Sequence, residues 1–133
     1  MMDLKEFADK VLHTNIINDK AVDAWHQYFR DEAKVGDGAT VCLYTDRTAY
    51  TIIKRTPKSL TLRRCKAIRK FTPEWIPGGF SAICTNNNDQ EWEYEEDEKG
   101  RVVKAYWSDK YCRFRNNSLT VIPGRHEWFD YNF

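Results

Sequence analysis

Apolar positions recur along this chain with two periods, and the change falls near Gly36. Before it the period is helical. Leu4, Phe7, Ala8, Val11 and Leu12 fall at i, i+3, i+4, i+7 and i+8, which predicts a short amphipathic helix over 3–12. Thr14-Asn15 interrupts it. Asn18 or Asp19 can then cap a second helix running to about Lys34, with Ala21, Val22, Trp25, Tyr28, Phe29 and Ala33 on one broad face. Gly36-Asp37-Gly38 ends that helix. The two helices are expected to form a hairpin over 1–35, with His13 and His26 on its polar flanks.

After Gly38 the period becomes two. Thr40–Thr45 reads as a strand, Asp46-Arg47 as a tight turn and Tyr50–Arg55 as the returning strand. Thr56-Pro57-Lys58-Ser59 turns again, because proline suits the second position of such a turn. Ser59–Lys66 completes a three-stranded meander, with Arg64 and Lys66 on one face and Arg63 on the other. A long irregular connection occupies 72–90, a length that usually carries function or disorder. Its Trp75, Ile76, Phe80 and Ile83 argue for order. Beyond it, Trp92 and Tyr94 alternate with Glu91, Glu93 and Glu95, as on a strand with one wet face. Asp97–Gly100 is expected to turn this strand back into Arg101–Trp107. Lys110–Arg115 and Leu119–Ile122 follow, and the aromatic end, Trp128 to Phe133, is expected to dock. The fold class these elements predict is α+β: an N-terminal helical hairpin packed on a small twisted antiparallel β-sheet or partial barrel. One domain spans 1–133, with antiparallel β structure over 36–133.

Charge is sorted along the β half. No acidic residue occurs from Arg47 to Pro73, and Lys54–Lys70 alone carries eight cations. Asp89–Glu98 then carries seven anions and no cation, so the net charge of +1 conceals two opposed blocks. Two readings stand. The basic meander is a phosphate-binding surface, since Arg forks match phosphate oxygens, or it is a sheet face neutralised in part by residues 89–98.

Composition narrows the classes. The first residues, Met1-Met2-Asp3-Leu4-Lys5-Glu6, place charges where a signal peptide has its apolar stretch. No run approaches the ~20 apolar residues of a membrane span, and a cytosolic protein is expected. Cys42, Cys65, Cys84 and Cys112 lack Cys-x-x-Cys spacing, and the three histidines are scattered. Reduced thiols, no metal and no cofactor follow as expectations. The chain has no nucleophile elbow, P-loop, dinucleotide fingerprint or zinc-protease helix, so no catalytic residues are assigned.

Three segments carry candidate binding chemistry. Pro77-Gly78-Gly79-Phe80 offers close backbone approach and a stacking ring. Thr85, Asn86, Asn87 and Asn88 offer mixed donors and acceptors for the edge of a base. Arg125 and His126 offer phosphate ligands. Each also has a plain structural reading: a packed loop, turn hydrogen bonds, a surface Arg-His pair.

Three patches together are similar to a group of small phage and prophage proteins: Gly36–Arg47; Pro77–Phe80 with Cys84–Asn87; and Gly124–His126 with Phe129–Phe133. Over residues 36–133 the chain resembles the phage Thoeris anti-defence proteins. These small β-rich, oligomerising proteins bind the cyclic ADP-ribose isomer made by the host's defence enzyme without cleaving it. The resemblance implies a non-enzymatic sponge for a small anionic nucleotide in the cytoplasm of an infected or lysogenic bacterium, acting as a homo-oligomer, with Phe80, Asn86, Asn87, Asn88, Arg47 and Arg125 supplying the aromatic plate, amides and cations of its pocket. The alternatives are an SH3- or OB-like nucleic-acid-binding module and an inhibitor of a host enzyme that docks through Asp89–Glu98.

Overall fold

Six strands close into a ring because the first of them meets the last. The computed structural model describes residues 19–76, 83–84 and 90–129. In chain order these form helix α1 (Asp19–Glu32) and strands β1 (Gly38–Cys42), β2 (Arg47–Thr56), β3 (Ser59–Arg64), β4 (Lys66–Arg69), β5 (Trp75–Ile76), β6 (Ile83–Cys84), β7 (Trp92–Glu95), β8 (Val102–Ser108), β9 (Arg113–Asn116) and β10 (Leu119–Pro123). The barrel runs β1-β10-β9-β8-β3-β2 and back to β1, antiparallel at every step. Thr40 faces Ala49 on one side and Ile122 on the other.

Alternation fills the ring. Val41, Ile52, Leu60, Leu62, Ala105, Phe114 and Val121 point inward and are buried in one core cluster. Tyr50 joins them, and Arg101 donates to its hydroxyl at 2.9 Å. Helix α1 plugs one end: Phe29 meets Phe114 edge-to-face at 5.7 Å, and Trp107 meets the same ring at 5.2 Å. Trp25, one turn earlier, packs instead on Ile122 and Cys42 outside the ring. Arg55 donates to the carbonyls of Arg30 and Ala33, satisfying acceptors that the end of the helix leaves open.

These findings correct the α+β expectation. The fold is mostly β, with one helix among the described residues, and no helical hairpin is seen. Residues 3–12, the expected first helix, lie outside the described residues. An open sheet leaves two unpaired edges that another layer must cover; pairing β1 with β10 removes them. His26 also departs from expectation, being 1% exposed rather than on a polar flank.

The sheet pairing differs as well. The basic strand expected over Ser59–Lys66 breaks at Cys65, and Arg64 and Lys66 belong to different sheets. The turn at Asp97–Gly100 exists, closed by a 2.9 Å bond from the Gly100 N–H to the Asp97 carbonyl. Its flanking strands do not pair with each other. β7 pairs with β4 in a separate two-stranded ribbon, while β8 pairs with β3 and β9. Gly100 passes so close to the Arg64 carbonyl that a side chain there would collide with backbone. The chain can cross only because that residue has none. A second small pair joins β5 to β6.

Strand β2 has both of its faces covered where the ribbon lies over it. Ala49 through Ile52 are buried without a break. Tyr50 and Ile52 face the core. Ala49 and Thr51 face outward, beneath polar groups that follow β7 and β10 in the chain.

Candidate functional site

The segment after β10 lies along the outside of β2 and fixes where two of the expected phosphate ligands end up. Trp128 exchanges two backbone hydrogen bonds with Arg47, at 2.8 and 3.0 Å. Glu127 Oε1 accepts the Ala49 N–H at 2.9 Å. Arg125 Nη2 reaches Thr51 Oγ1 at 2.9 Å. Arg47 and Arg125 are thus held at two ends of a line four residues long, roughly 13 Å at the rise of a strand. Gln90 clamps the same segment through both the N–H and the carbonyl of Phe129, so the aromatic end is docked as far as Phe129. Residues 130–133 lie outside the described ones.

Arg125 is engaged inside the protein. Its Nη2 lies 3.3 Å from Glu96 Oε1 and 3.3 Å from the Gly36 carbonyl. Its stem crosses Gly38, whose missing side chain leaves the room. Glu96 also accepts from Thr51 at 2.7 Å and from Arg63 at 3.1 Å. The Thr51 hydrogen bond, then Arg63 and Arg125, hold its carboxyl below the usual range against a smaller cost of burial. Thr51 Oγ1 further contacts the buried Cys65 thiol at 3.1 Å. His126 is set by its backbone: its N–H donates to Thr40 Oγ1 at 2.8 Å, and that hydroxyl donates to the Gly124 carbonyl at 2.7 Å. Next along, Tyr94 accepts the Glu127 N–H at 2.8 Å, and burial, first among its causes, pushes the phenol's pKa up.

The opposed charge blocks meet here. Lys66 faces Glu95 across the β4–β7 ribbon, Lys70 pairs with Glu93 at 3.3 Å, and Arg63 pairs with Glu96 at 3.1 Å. Of the two readings of the basic meander, this geometry favours internal neutralisation. It also engages several of the carboxylates that a docking role for Asp89–Glu98 would present.

Arg47 has a different environment. The turn from β1 to β2 is closed by the Leu43 N–H on the Asp46 carbonyl at 2.8 Å. Around it lies a hollow of about 410 Å³, lined by Cys42–Arg47 and Trp128. Tyr44 is 96% exposed and Leu43 44%. Arg47 is exposed, and its side chain also hydrogen-bonds Cys42. Burial pushes the Cys42 thiol up more than Arg47's charge and hydrogen bond pull it down, so it stays protonated at neutral pH and is a poor nucleophile.

Sequence reasoning therefore reached Arg47 but missed Tyr44 and Trp128 as its neighbours. An apolar Leu43-Tyr44 pair inside a turn was the available signal. Phe80, Thr85, Asn86, Asn87 and Asn88 lie outside the described residues. Cys42, Cys65 and Cys112 are free thiols. Among the described residues no group of three or more His, Cys, Asp or Glu could hold a metal ion, and no helix is long and apolar enough to cross a membrane. No family model matches the chain, and neither a curated protein nor a solved structure matches it.

Proposed function

We propose that this protein is a non-enzymatic binding protein that sequesters a small anionic nucleotide at the β1–β2 turn. One observation carries the reading: an exposed arginine, Arg47, lies in a hollow of about 410 Å³ with Tyr44 and Trp128 among its walls. That volume falls within the range of small-molecule sites, roughly 300–1,000 Å³. A guanidinium matches phosphate oxygens in a bidentate fork. A tyrosine whose ring is bare to solvent offers a base a stacking face, and such a contact is worth about 1–3 kcal/mol. The protonated Cys42 fits holding a ligand rather than attacking it.

The resemblance noted above narrows the nucleotide to a cyclic ADP-ribose-type immune signal. Binding without cleavage would lower the free signal in the host cytoplasm and blunt its anti-phage defence. In a homo-oligomer, the exposed Leu43 of one copy would find cover against another.

Isothermal titration with a cyclic ADP-ribose isomer, linear ADP-ribose and AMP tests this. The expected result is binding of the cyclic nucleotide, loss of at least tenfold in affinity in Arg47→Ala, and release of intact ligand when the complex is heat-denatured. Absence of binding to all three, or recovery of a cleaved product, would overturn the reading.

A further inference from the structure

The outer face of β3, β8 and β9 carries cations that the acidic strand does not reach. Val103, Ala105 and Trp107 of β8 pack into the core, so Val102, Lys104 and Tyr106 point outward, and all three are exposed. Register sets their neighbours. Lys104 lies beside Thr61, and Thr61 beside Lys54. Tyr106 lies between Ser59 and Arg115. The short side chains of Ser59 and Thr61 leave a shallow shelf between the longer ones.

Charge on this shelf is uncompensated. Among the described residues neither Lys54 nor Lys104 forms an ion pair. The acid at its margin, Asp109, sits 4.0 Å from Lys58, with both side chains largely exposed, a contact worth little. Lys54 and Lys104 stand on either side of Thr61, two strand spacings or roughly 10 Å apart, and one bound polyanion can span both. The two exposed tyrosines differ. Tyr111 already has the Arg115 guanidinium 4.1 Å and the Lys110 ammonium 5.3 Å from its ring centroid. Tyr106, 59% exposed, has no such cation against it among the described residues and is open to stacking.

We propose that this face binds single-stranded nucleic acid, with Lys54, Lys104 and Arg115 on phosphates and Tyr106 stacked on a base. A barrel wall with cations around an exposed ring suits a flexible strand whose bases can turn toward it. Duplex recognition needs an element that enters a groove, and this surface is a smooth wall. β8 is three strands from β1 in either direction around the ring, so the face lies opposite the Arg47 hollow and stands independently of the function proposed for it.

Fluorescence anisotropy with a labelled oligothymidylate of about 15 nucleotides, near the upper end of what one such face spans, tests the proposal across a potassium chloride series. Three or four phosphate contacts predict a slope of log K against log salt of about −2 to −3. Lys104→Glu should weaken binding at least tenfold and Tyr106→Ala at least fivefold, while Arg47→Ala leaves it unchanged. Both face residues are exposed, and thermal melts check that the variants stay folded; Lys54→Glu provides a second charge reversal. Failure to bind at low salt would overturn the proposal, as would indifference to the three face variants or loss in Arg47→Ala. Polyglutamate competing as well as the oligonucleotide would point instead to an acidic protein partner and would also overturn it.

Discussion

Arg64 grips both carboxylate oxygens of Glu127, at 2.7 and 2.9 Å, across 63 positions of sequence. The same arginine donates to the Ala49 carbonyl at 3.0 Å, and the same glutamate accepts the Ala49 N–H. One residue of β2 is thereby tied to the end of β3 and to the C-terminal segment. The Glu127 side chain is 11% exposed, so removing one partner costs more than it does at a surface salt bridge. Glu127→Ala would leave the Ala49 N–H without its acceptor and Arg64 with the Ala49 carbonyl in place of a carboxylate. The expected cost is about 2–3 kcal/mol, measured by urea unfolding; a loss under about 0.5 kcal/mol would show the clamp to be incidental.

His26 predicts an acid weakness. Burial, aided by the charge of Arg113, lowers its pKa from 6.5 to about 4. The unfolded chain therefore takes up this proton first as pH falls. Its contribution to stability is complete above about pH 6.5, declines between 6.5 and 4, and levels off below, a total of about 3 kcal/mol. In His26→Leu that part of the pH dependence should vanish. Denaturant unfolding at pH 7, 5.5 and 4 reads it directly, and parallel losses in both proteins would contradict the assignment.

Gly100 should resist substitution although it sits in a turn at the surface. Any Cβ there meets the Arg64 carbonyl, a backbone atom that cannot swing away. Gly100→Ala is expected to cost about 1–3 kcal/mol, in the range of overpacking, and to loosen the pairing of β3 with β8. Amide exchange at the Arg64 N–H, which donates to the Arg101 carbonyl at 2.8 Å, should accelerate. An unchanged melting temperature would mean that the crossing relaxes freely.

The hollow at the β1–β2 turn separates two contributions to binding. Tyr44→Ala removes a ring that is almost wholly in water, so stability should move by less than about 0.5 kcal/mol. Nucleotide affinity should fall about tenfold or more if the ring stacks on the base. Equal affinities for the variant and the parent would remove Tyr44 from the site and leave Arg47 as a phosphate contact alone.

Period-two alternation, together with turn residues, was enough to find β1, β2 and the Pro57 turn, because each is a local pattern within a few neighbouring residues. It did not reveal the break at Cys65, since Arg64-Cys65-Lys66 continues the same alternation while the chain changes sheets. Nor could it show that Trp92–Glu95 joins β4 rather than β8; a tight turn at Asp97–Gly100 is compatible with either, and distant pairing decided it. His26 misled for a related reason. Its helix is buried on a wider arc than the apolar residues alone suggest, through Trp25 packing on Ile122 outside the ring and Phe29 inside it. The charge blocks were legible as blocks, but their partnership depends on the β4–β7 ribbon. Arg47 entered as a candidate through the family resemblance, the turn pattern alone giving no reason to single it out. Its setting, with Tyr44 in the turn and Trp128 brought from the far end of the sequence, was not legible.

The pairing of β1 with β10 also constrains how the protein comes into being. β1 is complete at Cys42, yet its second edge stays open until Pro123 has been synthesised. A nascent chain on the ribosome must carry that exposed edge while the 81 residues from Leu43 to Pro123 are added, and contacts of such long sequence separation form slowly. Folding of this barrel is therefore a late, all-at-once event, and the interval before it is when the chain is most open to aggregation or to a chaperone.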